Sequence, residues 1–433
     1  MKTLEKGNKK LMNAWAFYDW ANSVYPLVIT SAIFPIYYGG IFKQLNIDTI
    51  IFLGFTFKNT ALITFVTATA FLVVAFISPI LSGIADYIGD KKKFMQFFCY
   101  LGAASCIGLS FFSIENIYFG ITCYFFGLIG FWGSLVFYNS YLPDIAFTNQ
   151  QDKLSAQGFS LGYIGSVILL IINLFFILKL EGDAALKFMR FSFVSVGVWW
   201  IIFAQYTFYY LPKGNVSDNK LSTKVLFNGF AELKKVWILL NENIRLKKFL
   251  ISFFVYSMAV QTVMIIATYF GQQEIQWASG DEATKGLIIS ILLIQLVAVL
   301  GAFLTSRASN KFGNIPTLIV INIVWTIICI LAYFVTLPIH FYMTAGFVGL
   351  VMGGVQSLSR STYSKFLPET KDTASFFSFY DVAEKIGIVI GLTIYGLIDQ
   401  ITRSMRSAIV FLAVFFIIGL ILLLKVPKDD LNK

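Results

Sequence analysis

Twelve apolar runs separated by polar breaks constrain this chain more than any other feature. They fall near residues 13–41, 60–85, 94–113, 117–141, 157–179, 190–211, 249–271, 287–305, 315–336, 340–361, 376–399 and 406–425. A bilayer core about 30 Å thick needs roughly 20 apolar residues per helix, and every run is close to or above that length. The runs are dense in Phe, Ile and Leu and lack period-2 alternation, which argues for spanning helices and against a transmembrane barrel. With 58% hydrophobic residues and a mean hydropathy of +0.76, the chain lies outside the usage of soluble domains. The first run is too long for a signal-peptide core and has no small-residue cleavage site, so it is read as retained. Cys99, Cys106, Cys123 and Cys329 all lie inside runs without metal-like spacing. They are read as packing residues, and neither a disulfide framework nor a metal site is expected.

A net charge of +10 could point to nucleic acid, but its distribution points to a membrane. If the N-terminus is cytoplasmic, 24 Lys and Arg residues fall on that side and 8 on the other, with Lys385 inside a run. The positive-inside rule then places both termini in the cytoplasm, in agreement with an even number of spans. The longest polar segment divides the runs six and six, so the expected organisation is a bundle over 1–210, a cytoplasmic loop over 211–248 and a second bundle over 249–433. Within the loop, KVLFNGFAELKKVWILLNENIRLKKFL can form an amphipathic helix on the inner leaflet, with Lys234, Lys235, Arg245, Lys247 and Lys248 near anionic headgroups. A solvated linker is the alternative.

The two halves are related. GSLVFYNSYLPDI at 133–145 aligns with LSRSTYSKFLPET at 358–370, sharing Ser134/Ser359, Tyr138/Tyr363, Leu142/Leu367 and Pro143/Pro368 at an offset of 225. GIADYIGDKK at 83–92 aligns with RASNKFGNIP at 307–316, Gly89 on Gly313, at an offset of 224. Parallel six-helix repeats are a common plan of secondary transporters, with the substrate site between the repeats.

The loop GIADYIGDKKK places Gly83, Asp86, Gly89, Lys91, Lys92 and Lys93 after the second run. Its G-x-x-D-x-x-G-x-K-K spacing resembles the loop signature of the major facilitator superfamily. Glycines let a helix end and turn, and Asp86 can pair with basic residues or cap a neighbouring helix. The lysines would keep the loop cytoplasmic, so its role is read as structural and gating. Three further segments, AWAFYDWANSVYPLVITSAIFPIYY, GGVQSLSRSTYSKFLPE and FFSFYDVAEKIGIVIG, resemble the vacuole-effluxer branch of that superfamily, whose fungal members include an autophagy-related vacuolar amino-acid effluxer. The resemblance implies an all-α integral membrane fold of 12 transmembrane helices in two pseudo-symmetric six-helix halves. It also implies that the first, fourth, seventh and tenth spans face a central crevice, the second, fifth, eighth and eleventh form the seam, and the rest sit outside. One departure stands in the seventh run, where relatives carry Tyr-x-Asp-Gly-x-Gln-Thr and this chain reads YSMAVQT, with Met258 and Ala259 at the Asp-Gly positions.

Charges inside apolar runs cost about 2.5–3.5 kcal/mol on insertion scales, so they normally face a cavity or a partner. Asp19 sits in the first run among Tyr18, Trp20, Asn22 and Tyr25, ahead of Pro26 and Pro35, which are expected to loosen the helix. Asp381, Glu384 and Lys385 share a helix flank in the eleventh run. Pairing Asp381 with Lys385 would leave Glu384 over as a proton-titrating group. Gln356 and Arg360 end the tenth run; the guanidinium suits a substrate carboxylate, and Asp144 is an equally suitable partner. Substrate-binding or coupling candidates are therefore Tyr18, Asp19, Asn22, Gln261, Gln356, Arg360, Asp381, Glu384 and Lys385.

These features point to a secondary transporter of small polar solutes, amino acids foremost, working by alternating access with protons as a candidate coupling ion. Drugs, sugars, peptides or lipids are alternative cargoes on the same fold. An enzyme is not expected, since the single histidine, His340, has no second histidine to assist it, and without a nucleotide-binding loop primary ATP-driven pumping is not expected either. No cofactor, metal or nucleic acid is called for. The expected setting is a multi-pass monomer in a bacterial plasma membrane, with the lipid bilayer and a small solute as its partners.

Overall fold

A computed structural model describes residues 4–47, 49–180, 182–213 and 225–427. The first half holds span 1 (Lys9–Gln44), span 2 (Asn59–Ile88), span 3 (Lys91–Phe111), span 4 (Ile117–Ile145), span 5 (Gln151–Ile177) and span 6 (Gly182–Tyr210). A helix over Val225–Glu242 follows. The second half holds span 7 (Ile244–Glu274), span 8 (Gly280–Phe312), span 9 (Asn314–Ala332), span 10 (Pro338–Phe366), span 11 (Thr373–Thr402) and span 12 (Met405–Leu424). All twelve apolar runs correspond to helices. Among the described residues eleven helices are long and apolar enough to cross a membrane. Span 11 is the remaining one, a 30-residue helix that carries Asp381, Glu384, Lys385 and Asp399.

Proline decides the shape of span 1. An α-helix over Lys9–Asn22 gives way to a wider π-helical stretch over Tyr25–Ile33 and resumes over Phe34–Gln44. Pro26 and Pro35 remove backbone donors there, and the Phe34 N–H reaches back five residues to the Ile29 carbonyl. The helical expectation needs one small amendment between spans 1 and 2, where Thr49–Phe52 pairs antiparallel with Phe55–Lys58 as a hairpin. Its turn uses Leu53 and Gly54, both with positive φ, as a two-residue hairpin turn requires.

Each half has its own core. One cluster joins Trp15, Tyr25, Phe34, Phe98, Tyr138 and Trp200 with neighbours from spans 1 to 6; the other joins Phe253, Tyr256, Trp325, Tyr363 and Phe416 with neighbours from spans 7 to 12. Among the described residues two buried side chains cross over, Ala374 of span 11 into the first cluster and Tyr163 of span 5 into the second, and Ile288, Ile291, Leu292 and Phe159 pack across more loosely. The seam is made by span 2 against span 11 and by span 5 against spans 8 and 10, whereas the main contacts of spans 3, 6, 9 and 12 stay within their own half. Spans 2, 5, 8 and 11 at the seam and spans 3, 6, 9 and 12 outside it are what the resemblance implied; span 10, expected on the crevice, joins the seam through span 5 as well.

Small residues set the closest approach within the second half. A methyl group on Gly353 would stand 2.0 Å from the Ala298 carbonyl oxygen, and one on Gly301 2.0 Å from that of Leu350. Spans 8 and 10 therefore meet backbone to backbone. Gly353→Leu is expected to lose about 3 kcal/mol or more through overpacking, read as a lower unfolding midpoint in detergent. Gly346→Ala, on the same helix with nothing within 4 Å, should leave the midpoint unchanged or raise it.

Candidate functional site

Asp19 and Arg360 meet across the seam. Both are buried, at 4% and 3% exposure, and the two terminal guanidinium nitrogens lie 3.3 and 3.4 Å from Asp19 Oδ2. The Tyr138 hydroxyl donates to the same oxygen at 2.8 Å. Arg360 Nε donates to Ser155 Oγ at 2.9 Å, Nη1 to Asn139 Oδ1 at 3.2 Å and Nη2 to the Ser155 carbonyl at 3.0 Å. Rings of Trp15, Tyr138 and Phe159 wall the cation, with centroids 4.9, 5.5 and 4.1 Å away. Each of these partners belongs to the first half, so Arg360 is a plug from the second half seated in a socket of the first.

The charge–charge part of this contact is loose. Bidentate arginine–carboxylate pairs close to about 2.7–2.9 Å with one nitrogen per oxygen, whereas here both nitrogens reach a single oxygen at longer range. A carboxylate and a guanidinium taken out of water must be compensated, and most of the short bonds to Arg360 are neutral ones. Span 5 approaches closely at this point, since a methyl group on Gly158 would stand 2.5 Å from Asp19 Oδ2.

The alternative pairing of Arg360 with Asp144 is not what the structure contains. Asp144 is taken by Lys91, whose Nζ also donates to the Ser140 carbonyl at 3.0 Å and to Thr373 Oγ1 at 2.8 Å. Arg360 is held instead by Asp19, Ser155 and Asn139.

The span 11 charges also differ from expectation in one respect. Lys385 Nζ lies 3.0 Å from Asp381 and 2.8 Å from Glu384, so Glu384 is not left over. Its other oxygen accepts from Gln261 Nε2 of span 7 at 2.8 Å. The ammonium reaches over the seam to the ring of Trp132 on span 4, 3.6 Å from its centroid. The reason is reach: a four-carbon stem lets one lysine bridge neighbouring carboxylates that a pairwise count treats as rivals. Two carboxylates around one ammonium leave the cluster one negative charge in excess.

Other candidates are placed as follows. The Tyr163 hydroxyl donates to Gln356 across the seam at 2.6 Å. Tyr18 points into the first core, against Tyr138 and Phe208. Asn22 is buried, and its amide nitrogen has no hydrogen-bond partner among the described residues. Met258, at the position of the missing span 7 acid, is 4% exposed and lines the close approach of Gly387 and Gly391. An apolar cavity lined by Val263, Phe270, Ile294, Cys329, Phe341 and Ile409 lies within the second half; it lacks charged walls and is separate from the site.

The seam is closed beyond the ion pair by two latches at the face carrying both chain ends. In the first, Gly89 ends span 2 with φ +75° and Asp90 caps span 3 by accepting from the Lys93 N–H. Asp86 accepts from the backbone N–H groups of Ala374 at 3.3 Å and Ser375 at 2.7 Å. A carboxylate from one half thus caps a helix of the other, where free amides and the helix dipole favour it. Lys91 completes the latch and is buried at 6% exposure; Lys92 holds the Leu211 carbonyl at 2.9 Å. The second latch is the repeat's counterpart. Asp152 in the first turn of span 5 accepts from Lys365 at 2.5 Å, Ser309 at 3.0 Å and Asn314 at 2.9 Å. Sequence reasoning missed Asn139, Asp152, Ser155, Asn314 and Lys365. For Asn314 the repeat was the available signal, because it pairs the 2–3 loop with the 8–9 loop.

The family described as "Vacuole effluxer Atg22 like" matches residues 7–430. The chain is similar to the "Uncharacterized MFS-type transporter YxiO" of Bacillus subtilis, 29% identical over 97% of this chain and 95% of the relative. It is also similar to "Autophagy-related protein 22" of Saccharomyces cerevisiae (strain ATCC 204508 / S288c), 26% identical over 86% of this chain and 77% of the relative. In fold it is similar to the Escherichia coli fucose:proton symporter FucP, with a TM-score of 0.69, 16% identity and coverage of 97% of this chain and 98% of that one. A double-Trp mutant of XylE gives a TM-score of 0.72 at 13% identity, over 98% and 96% of the two chains. A bacterial homologue of the iron transporter ferroportin, in an outward-facing state, gives 0.65 at 9% identity, over 97% and 99%. Because the family model spans nearly the whole sequence, the chain belongs to the Atg22-like vacuole effluxer family of major facilitator transporters and is a membrane transporter, not an enzyme.

Proposed function

We propose that the chain moves small polar solutes, amino acids foremost, by alternating access, with the Asp19–Arg360 pair as the substrate site and proton movement as the coupling reaction. The observation that carries this reading is the ion pair itself, buried and shared between the halves. A zwitterion has the charges to divide it: a substrate carboxylate takes Arg360 and a substrate ammonium takes Asp19. Both charges stay compensated while Arg360 leaves its socket, so binding lowers the cost of parting the halves. The conformation described is sealed at the face where span 1 begins and span 12 ends, and the excess of Lys and Arg on that face supports reading it as cytoplasmic. It would therefore receive solute from the opposite side.

Proton coupling rests on the span 11 cluster. Asp381, Glu384 and Lys385 carry one negative charge in excess, Gln261 faces them from span 7 and Trp132 from span 4. Taking up one proton would neutralise the cluster. The test is flux in liposomes holding the purified protein, using labelled amino acids and labelled sugars as separate cargoes, with and without an imposed proton gradient. The expected result is amino-acid movement above that of empty liposomes, accelerated by the gradient. Sugar movement without amino-acid movement would overturn the cargo, and indifference to the gradient would overturn the coupling ion.

A further inference from the structure

The helix over Val225–Glu242 is tied to the membrane boundary at its end. Asn243 alone separates it from span 7 and caps that span by accepting from the Leu246 N–H at 2.9 Å. The helix packs along span 2 and touches spans 7 and 11, so it crosses the seam from the flank. Val236 and Leu240 are its buried side. On the opposite arc, at 100° per residue, stand Lys234, Trp237, Ile238 and Lys235. All four are exposed, Trp237 at 53% and Ile238 at 48%. Ile244, Lys247 and Lys248 continue the exposed surface into span 7. Residues 231–248 hold five basic and two acidic side chains.

A solvated linker would present polar groups on this arc. A large aromatic and an isoleucine between lysines instead suit an interface in which rings and aliphatic chains sit among acyl chains and ammonium groups stay at headgroup level. We propose that this arc is a docking surface for an anionic phospholipid leaflet, with Trp237 and Ile238 inserted between headgroups and Lys234 and Lys235 on their phosphates. The surface is continuous with the exposed Ile244, Lys247 and Lys248 at the start of span 7, and its charge is complementary to such a leaflet.

The docking surface is wired to the seam. Lys235 bonds Asp372 at 2.8 Å and Glu232 at 3.3 Å, and Trp237 packs against Phe379 with ring centroids 5.7 Å apart. Asp372 directly precedes Thr373, Ala374 and Ser375, the residues held by the first latch. Headgroup phosphates and Asp372 therefore compete for the same ammonium, so the charge of the leaflet acts on the start of span 11.

The test places a fluorophore on Ile238→Cys in the full chain, since the native cysteines are all buried, and reconstitutes it in nanodiscs of phosphatidylcholine with or without phosphatidylglycerol. The expected result is quenching by a nitroxide-bearing lipid and protection from aqueous iodide, both stronger with phosphatidylglycerol. Lys234→Gln and Lys235→Gln should each weaken the phosphatidylglycerol-dependent part, by up to about fivefold per lysine. Free access of iodide without nitroxide quenching would overturn the proposal, as would protection from both quenchers, which means cover by protein. Identical quenching in the two lipid mixtures would overturn the assignment of the lysines to headgroups.

Discussion

Asp19→Asn is expected to abolish solute flux without unfolding the protein. Asparagine keeps the size of the side chain and an acceptor for the Tyr138 hydroxyl, but it removes the anion beside a guanidinium that is 3% exposed. Stripping one partner from a buried pair costs roughly 3–5 kcal/mol, comparable to or larger than the few kcal/mol that separate conformers of a two-state protein. The sealed conformation therefore becomes the minor one, and the contact for a substrate ammonium goes with it. In liposomes the initial rate should fall to that of empty vesicles, with a lower unfolding midpoint. The double variant Asp19→Asn/Arg360→Gln separates the two effects: with both charges gone the midpoint should recover non-additively, whereas flux should not. Normal transport by the single variant would make the pair a structural contact only.

The fold was legible because hydropathy in a membrane protein is a signal of length. Each span needs enough apolar residues to cross a fixed thickness, and runs such as 60–85 and 406–425 became helices within a few residues. The repeat added the division into halves, since Tyr138 and Tyr363 hold equivalent places near the ends of spans 4 and 10. Span 11 could be found despite its charges because apolar sequence continues on both sides of them. The hairpin over Thr49–Lys58 was not legible: its strands are four residues each and only Phe55–Lys58 alternates apolar with polar, too few positions to stand out beside two long spans.

The site was legible as residues and much less as partners. Asp19, Arg360 and the span 11 charges are expensive in an apolar run, which is why they could be named. The direction in which each points was hidden, because spans that are apolar around most of their circumference have no polar face for periodicity to find. Tyr18 neighbours Asp19 in sequence yet points into the first core, and Glu384 turned out to share Lys385 instead of standing free. The socket of Arg360 draws on Asn139 and Ser155, 221 and 205 residues away. Ordinary serines and asparagines at helix ends give no sequence signal of such partners, and only the packing of two preformed halves selects them.

Opening the face that carries the chain ends requires both latches to release, and the variant Asp86→Asn/Asp152→Asn is expected to release them. Asp86 supplies the charge that caps span 11, a contribution of about 0.5–2 kcal/mol at a helix N-terminus. Asp152 is the only carboxylate among the described residues bonded to Lys365, and that ammonium is half-buried, so losing the anion costs less than in a dry interior but still of order 1–3 kcal/mol. The latches share no partner, so their effects should sum and exceed the gap between the sealed and open conformers. Ala374→Cys reports the change, since Ala374 is fully buried against the first half and is small enough to accept a thiol. With both latches intact a membrane-permeant maleimide should label that cysteine slowly; in the double variant labelling should accelerate at least about tenfold, the factor that corresponds to 1.4 kcal/mol. Transport should fail in a different manner from Asp19→Asn: the pair is intact, so substrate still binds and protects against heat, but the protein does not close again at this face. Unchanged labelling in the double variant would show that the Arg360 plug alone keeps the halves together.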